Sequence, residues 1–353
     1  MQTHLLMTTA LQTLQARLSA QTGQPEQLML MPDKGLAHWH ARWLGHALVA
    51  RLPKQSQMGL DPVRNLAYEA ACFERAHPSG HTPRLHLTLP PDDGLPWGAL
   101  LVEEITGTVV HAQHVTHAVM HSLAALHSLP LPTASARTPL LDELAPARGL
   151  IDLILAQSVH LSHPAIAAQT RQCVSARLQA VRTELPTCCA GLPRTLIAFD
   201  AHPGNFIIRP SGQAVLVDLE KMRYSLPPLD LAHATLYTST TWDVDSAFEL
   251  STAQVAQAYQ VWLHAMGPSA APYQKALVPL REAMWLWSIS WCAQWLGESD
   301  QNAKSQPGGQ DWSTQHSDAA LIAHVRARVQ DYLSPATVQR VQDEFRQLRQ
   351  LFG

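Results

Sequence analysis

Apolar positions in residues 1–24 recur at helical spacing. Leu11, Leu14 and Leu18 share a face, with Gln12, Gln15 and Arg17 between them, which predicts an amphipathic helix. From Gln27 the pattern turns to β, with runs at Leu28 to Met31, Ala37 to Leu44 and Ala47 to Leu52. Turn chemistry separates these runs at Pro32-Asp33-Lys34-Gly35 and Leu44-Gly45-His46. A helix over Asp61 to Ala76 follows, opened by Asp61-Pro62 as cap and first-turn residue. Two more strands fit Leu85 to Leu89 and Ala99 to Ile105. Beyond them the period is helical from Ala112 to about Leu129, then over Arg148 to His160 and Pro164 to Leu185, after a Pro-rich connection from Pro130 to Pro146.

A short hairpin interrupts this helical half. Phe206 to Arg209 and Ala214 to Val217 are β-rich, and Pro210-Ser211-Gly212-Gln213 is suitable turn chemistry. The polar stretch Ser299 to Ser317 has little to bury and reads as a loop. Helical spacing returns in Asp318 to Leu333 and Ser334 to Phe352. Length alone suggests two or three lobes, and after the first helix (1–24) the α+β pattern passes from β-rich over 25–104 to mainly helical over 105–353.

Chemistry concentrates at the hairpin. Asp200 and Asn205 stand five apart in a loop whose middle is His202-Pro203-Gly204, and the hairpin ends on Asp218, carried back beside that loop. Phosphoryl transfer from ATP needs such a set: one carboxylate to orient and deprotonate the attacking hydroxyl, and a carboxylate with an amide oxygen to hold magnesium on the phosphates.

The strings D-A-H-P-G-N (Asp200 to Asn205) and V-D-L-E (Val217 to Glu220) resemble the aminoglycoside phosphotransferase and choline kinase superfamily, whose loop commonly reads H-G-D-x-H-P-G-N and whose metal segment reads I-D-x-E. That resemblance implies a bilobal protein-kinase-like fold. It also implies ATP and Mg2+ as cofactors and a small hydroxylated acceptor such as an amino sugar, an aminoglycoside or a choline-like alcohol. It makes Asp200 the catalytic base and Asn205 and Asp218 the metal ligands. By the same resemblance Gly35 lies in the loop over the phosphates and Arg51 on the third strand reaches them. Glu69, with Glu74 as the alternative, is the helical partner of Arg51, and Glu103 to Ile105 connect the lobes and bond the base. Asp230, in Pro227-Pro228-Leu229-Asp230-Leu231-Ala232, is expected to cap a helix and anchor the loop. One departure stands out: Ala198-Phe199 replaces the His-Gly that precedes the catalytic Asp.

The acceptor region implied by the resemblance contains Trp242, Asp243, Asp245, then Trp285, Trp287, Trp291 and Trp295. Trp287, Trp291 and Trp295 share one helix face, which suits a core; tryptophan faces beside carboxylates also suit a cationic acceptor. His114, His117 and His121 share another face, but no Cys, Asp or Glu joins them locally. The five cysteines have no C-x-x-C spacing and read as reduced thiols, with the vicinal Cys188-Cys189 as a redox-sensitive option. A formal net charge of −3 gives no steering toward nucleic acid. No basic segment followed by an apolar run opens the chain and no window would span a bilayer, so a cytoplasmic location is expected. The absence of G-x-S-x-G argues against a serine hydrolase. A non-catalytic nucleotide-binding or scaffold relative remains the rival reading, motivated by Ala198-Phe199 and Arg51.

Overall fold

The computed structural model describes residues 2–32, 37–300 and 319–352. Gly35, expected over the phosphates, and nearly all of the stretch expected as a loop near 300–317 lie outside the described residues.

Helix α1 (Gln2–Thr22) precedes an antiparallel five-stranded sheet of order β1-β2-β3-β5-β4, built from β1 (Leu28–Leu30), β2 (His38–Trp43), β3 (Leu48–Pro53), β4 (Leu85–Leu89) and β5 (Ala99–Glu103). Side chains alternate across a strand, so β2 sends Trp39, Ala41 and Trp43 to one face and His38 and His40 to the other. The first set joins Ala50, Leu52, Ala99 and Leu101 in a core closed by Leu14 and Leu18 of α1. The opposite face carries His38, His40 and Arg51; His40 lies directly across from Arg51 in the β2–β3 ladder. Helix α2 (Pro62–Ala76) crosses behind. Its cap Asp61 accepts the Arg64 N–H, with Pro62 at the first turn, and Leu66, Cys72 and Phe73 are buried in the larger core.

After β6 (Thr108–Val109), the helical run Ala112–His127 is continuous but holds a π-helical segment at Val115–Val119 between α3 (Ala112–His114) and α4 (Met120–His127). The Pro-rich connection contains a short helix, α5 (Ala134–Arg137), and a short strand, β7 (Leu141–Asp142). Helices α6 (Pro146–Ser158) and α7 (Ala168–Cys188) lead into β8 (Thr195–Ile197). The hairpin pairs β9 (Phe206–Ile208) with β10 (Ala214–Leu216), and β6 adds to its edge; β11 (Arg223–Ser225) lies between β7 and β8. The remaining helices are α8 (Pro228–Thr235), α9 (Tyr237–Thr240), α10 (Thr252–Met266), α11 (Leu277–Asp300), α12 (Ala319–Tyr332) and α13 (Pro335–Phe352). The fold is thus α+β, with the antiparallel sheet in the first third and helices dominating afterwards. The strand expected to reach Ile105 ends at Glu103, and the expected loop at Ser299 is still helix. Among the described residues, no helix is long and apolar enough to cross a membrane.

Candidate active site

Asp230 fixes the loop that carries Asp200. It is the third residue of α8 and not its N-cap, which is Pro227. Its carboxylate instead accepts the backbone N–H groups of Ala198 and Phe199 at 2.7 and 2.8 Å. His127 Nε2 bonds the same carboxylate at 3.0 Å, and Trp262 Nε1 donates to His127 Nδ1 at 3.0 Å. This Trp–His–Asp chain is buried from end to end, where an unpaired carboxylate would be costly. The loop is anchored as the resemblance implied, although by a side chain inside the helix.

Phe199 is the one non-glycine with positive φ among the described residues, at 61°. Such a conformation costs a bulky residue about 1–3 kcal/mol. Two ring contacts offset it. The Arg223 guanidinium lies 3.7 Å from the Phe199 centroid, and Trp287 of α11 meets the ring edge-on at 5.4 Å. A cation over a ring and an aromatic pair are each worth roughly 0.5–2 kcal/mol, enough to hold the strained turn. Phenylalanine therefore serves where a glycine is usual in the resembling family.

Downstream, Pro203–Asn205 forms a single 3-10 turn. Gly204 does not need an unusual angle; it needs the space, because a Cβ there would sit 2.7 Å from Asp243 Cβ. Asn205 Nδ2 donates to the Asp200 carbonyl at 2.8 Å, which commits the amide nitrogen and leaves Oδ1 for another partner. The Val217 N–H donates to the Asn205 carbonyl at 2.8 Å, so the end of the hairpin is tied to the loop and Asp218 arrives beside it. An amide oxygen and a carboxylate in this position are a donor set for a hard divalent cation such as Mg2+.

Both carboxylates are paired within the chain. Lys221 Nζ stands 2.6 Å from Asp200 Oδ2. Burial alone raises the Asp200 carboxyl, but the Lys221 ammonium, helped by His202 and His233, holds it well below the usual range. Arg51 donates to Asp218 Oδ1 at 2.6 Å and to the Val217 carbonyl at 3.2 Å. Burial raises Asp218 too, and Arg51 and then His38 more than offset it. The expected Arg51–Glu69 pair is corrected: Glu69 bonds His38 Nε2 at 2.9 Å and Asn65 Nδ2 at 2.7 Å. Arginine's longer fork lets the β3 cation cross to Asp218 directly.

These groups open on a cavity of about 560 Å³ that also has an aromatic end. Arg51, Asp200, Asn205 and Asp218 line it, as do Asp243, Asp245, Trp287 and Trp291. Glu69, Glu103 and Ile105 do not: Glu69 is buried behind His38, the Glu103 carboxylate pairs with Arg209 at 2.7 Å, and Ile105 is buried. At the aromatic end Trp242 and Trp291 stand nearly perpendicular, 5.6 Å between centroids at 81°, with Tyr332 at 6.4 Å from Trp242. Trp287 and Trp291 are half-buried walls, whereas Trp285 faces away and packs on Phe345 in the core. Lys221, His38, His233 and His324 line the same cavity without a role from the sequence, where Glu220 and His202 stand only within their motifs. Lys221 directly follows the V-D-L-E string that carries Asp218, and His38 shares a strand face with His40, which lies opposite Arg51, so the β period is the available signal.

A family model described as "Phosphotransferase enzyme family" matches residues 35–273. No curated protein sequence is matched. Solved structures that resemble the chain include a choline/ethanolamine kinase family protein from Mesorhizobium loti, at 16% identity and TM-score 0.56, covering 90% of this chain and 98% of that one. The GDP and kanamycin complex of APH(2'')-IIIa is similar at 15% identity and TM-score 0.54, covering 86% and 92%. The apoenzyme of a macrolide 2'-phosphotransferase from Brachybacterium faecium follows at 15% and 0.54, covering 90% and 97%. At these identities the likeness establishes a shared kinase-like fold.

Proposed function

Because the chain belongs to the phosphotransferase enzyme family, we propose that it moves the γ-phosphate of ATP, with Mg2+, to a hydroxyl of a small molecule bound at the aromatic end of the cavity. The observation that carries this reading is the convergence of Asp200, Asn205 and Asp218 on one cavity with an aromatic wall. Asp200 orients and deprotonates the acceptor hydroxyl. Its lowered pKa makes it ionised and ready at neutral pH, and positioning contributes more than basicity. Asn205 Oδ1 and Asp218 would hold Mg2+, which neutralises charge on the phosphates. Arg51 stands beside Asp218, and Lys221 beside Asp200, where a transferring phosphoryl group needs cations. By the resemblance the adenine edge would meet the backbone just past β5, near Ile105; the Glu103 N–H is already donated to the Arg84 carbonyl at 2.8 Å.

The acceptor end favours a compact cation. Trp242 and Trp291 form an aromatic corner, and Asp243 and Asp245 lie at its rim. Quaternary or primary ammonium groups are stabilised by such faces. Asp243 spends Oδ1 on the Asp245 and Ser246 N–H groups of its own turn, which leaves few carboxylate oxygens for a polycation. A choline-like or singly charged amino-sugar acceptor therefore fits better than a multiply charged aminoglycoside.

Thermal stability titrated with ATP and Mg2+, wild type beside Asp218→Ala, followed by phosphate transfer to choline, ethanolamine, glucosamine and kanamycin, tests the reading. A ligand bound only to the native state raises the melting temperature. A Mg2+-dependent rise that is lost in the variant, with transfer to a small amine alcohol, is the expected result. Nucleotide binding without transfer to any acceptor would favour the non-catalytic rival.

A further inference from the structure

The last turn of α7 carries two adjacent thiols. All five cysteines are free, and the Cys188 and Cys189 sulfurs stand 3.7 Å apart. Both residues are half-buried with one flank on the larger core, whereas Cys72 and Cys292 are buried. Side chains of consecutive helical residues do not face one another. These two meet because the helix is ending: Cys189 is the cap, at φ −100° and ψ 1°. The turn is weakly held. Pro186 lies inside the helix and has no N–H to give it. The Cys189 N–H donates to the Leu185 carbonyl at 3.0 Å and the Ala190 N–H to the Thr187 carbonyl at 3.3 Å, and residues 190 and 191 are exposed. Helix ends of this kind open at little cost.

We propose that Cys188 and Cys189 form a dithiol modification site that reacts with small disulfides of the glutathione class and closes to a disulfide between the two adjacent residues. Cys188 is the nucleophile. The hydrogen bond from the Cys189 S–H holds the Cys188 thiol below its usual range, with burial and Glu184 opposing and Arg349 of α13 assisting, and the same bond pushes the Cys189 thiol up. The Cys188 thiolate attacks one sulfur of the small disulfide, forming a mixed disulfide and expelling a thiolate, which takes up the proton that Cys188 lost. Cys189 then gives up its proton and attacks the Cys188 sulfur, forming the bond between the two residues and expelling the second small thiolate, which becomes a thiol. Two protein thiols are oxidised and one small disulfide is reduced to two thiols. The sulfurs must close from 3.7 Å to a bonded distance of about 2 Å, and the loosely held last turn supplies that movement. Exchange with excess small thiol reverses both steps.

The test incubates the full reduced chain with excess glutathione disulfide and caps the remaining thiols with N-ethylmaleimide. Mass spectrometry then reads the tryptic peptide 183–194, which holds both cysteines and no other. Loss of two hydrogens from that peptide, with neither glutathione nor maleimide on it, is expected, and dithiothreitol should restore both thiols. Cys189→Ser should stop the reaction at a single glutathione on Cys188, and Cys188→Ser should react about tenfold more slowly or less at Cys189. Glutathione retained on the wild-type peptide, a disulfide joining two chains, or recovery of the peptide with two maleimides overturns the site. Equal rates in the two serine variants overturn the assignment of Cys188 as the nucleophile. None of these readouts needs phosphate transfer, so the site stands or falls apart from the proposed activity.

Discussion

At one end of the cavity the acids and bases answer one another: Lys221 faces Asp200, Arg51 faces Asp218, and His38 joins Glu69 to Glu220. At the other end Trp242, Trp287, Trp291 and Tyr332 present rings, with Asp243 and Asp245 at the rim. The polar end is neutralised internally, so phosphates and cations binding there must exchange partners with pairs already formed. The aromatic end presents ring faces beside Asp243, whose Oδ1 is bonded within its own turn, and under the proposed function its selectivity would come from shape and from those faces. Under the proposed function, charged groups at the first end would set whether transfer occurs, and the rings at the second would set what receives the phosphate.

The sharpest division between the two ends comes from single substitutions. Asp200→Asn is expected to lower the transfer rate by about 10²–10⁴-fold, measured as kcat at saturating acceptor, while the Mg2+–ATP stabilisation persists. A comparable loss from a substitution at the aromatic end would erase the division. Next in size, Phe199→Gly relieves the 61° φ but removes a buried ring from between Arg223 and Trp287. Loss of a core phenylalanine costs about 3–5 kcal/mol and strain relief returns about 1–3. Net destabilisation of about 2 kcal/mol is expected in chemical denaturation, and a more stable variant would mean that strain dominates. Trp291→Ala should cost roughly 1–2 kcal/mol of acceptor binding, read as a fall of about tenfold in acceptor kcat/KM with the KM for ATP unchanged. A matching rise in the KM for ATP would show that the two ends are not separate.

The smallest effect concerns pH. Folding lowers the Asp200 carboxyl below its unfolded value. Its contribution to stability is then present above the ordinary carboxylate range and lost only as pH falls through the lowered value. From about pH 5 to 8 this group should give no inflection in the transfer rate. Lys221→Met removes the largest charge opposing burial, so an inflection should move toward that window; a pH profile unchanged by the substitution would show that the ammonium does not hold the carboxylate as its 2.6 Å contact implies.

Much of this was legible in the chain. The β period of residues 28–52, the Asp61-Pro62 cap and the D-A-H-P-G-N loop followed by a hairpin are local signals, and local signals survive folding. Partners across the fold were not legible. Arg51 was expected to meet Glu69, but Asp218, far along the chain, is within its reach, and nothing in either segment marks that choice. The tryptophan stripe shows the same limit: Trp287, Trp291 and Trp295 line a cavity whereas Trp285, off that face, packs in the core, and helical spacing fixes a shared face without saying what lies opposite. Phe199 could be seen to depart from a pattern, but the ring contacts that make the departure tolerable come from β11 and α11.

Gly204 leaves no room for a methyl group against Asp243. The turn at the rim of the acceptor end therefore rests on the loop that carries Asp200 and Asn205, and the two segments are not free to diverge separately. If the proposed function holds, a lineage that reshaped residues 242–246 to accept a new alcohol would shift the backbone that aims Asp200, and would have to repair one while changing the other. Trp291 of α11 packs on Trp242 of that same turn, so under the proposed function an exchange on the α11 face would reach the turn as well.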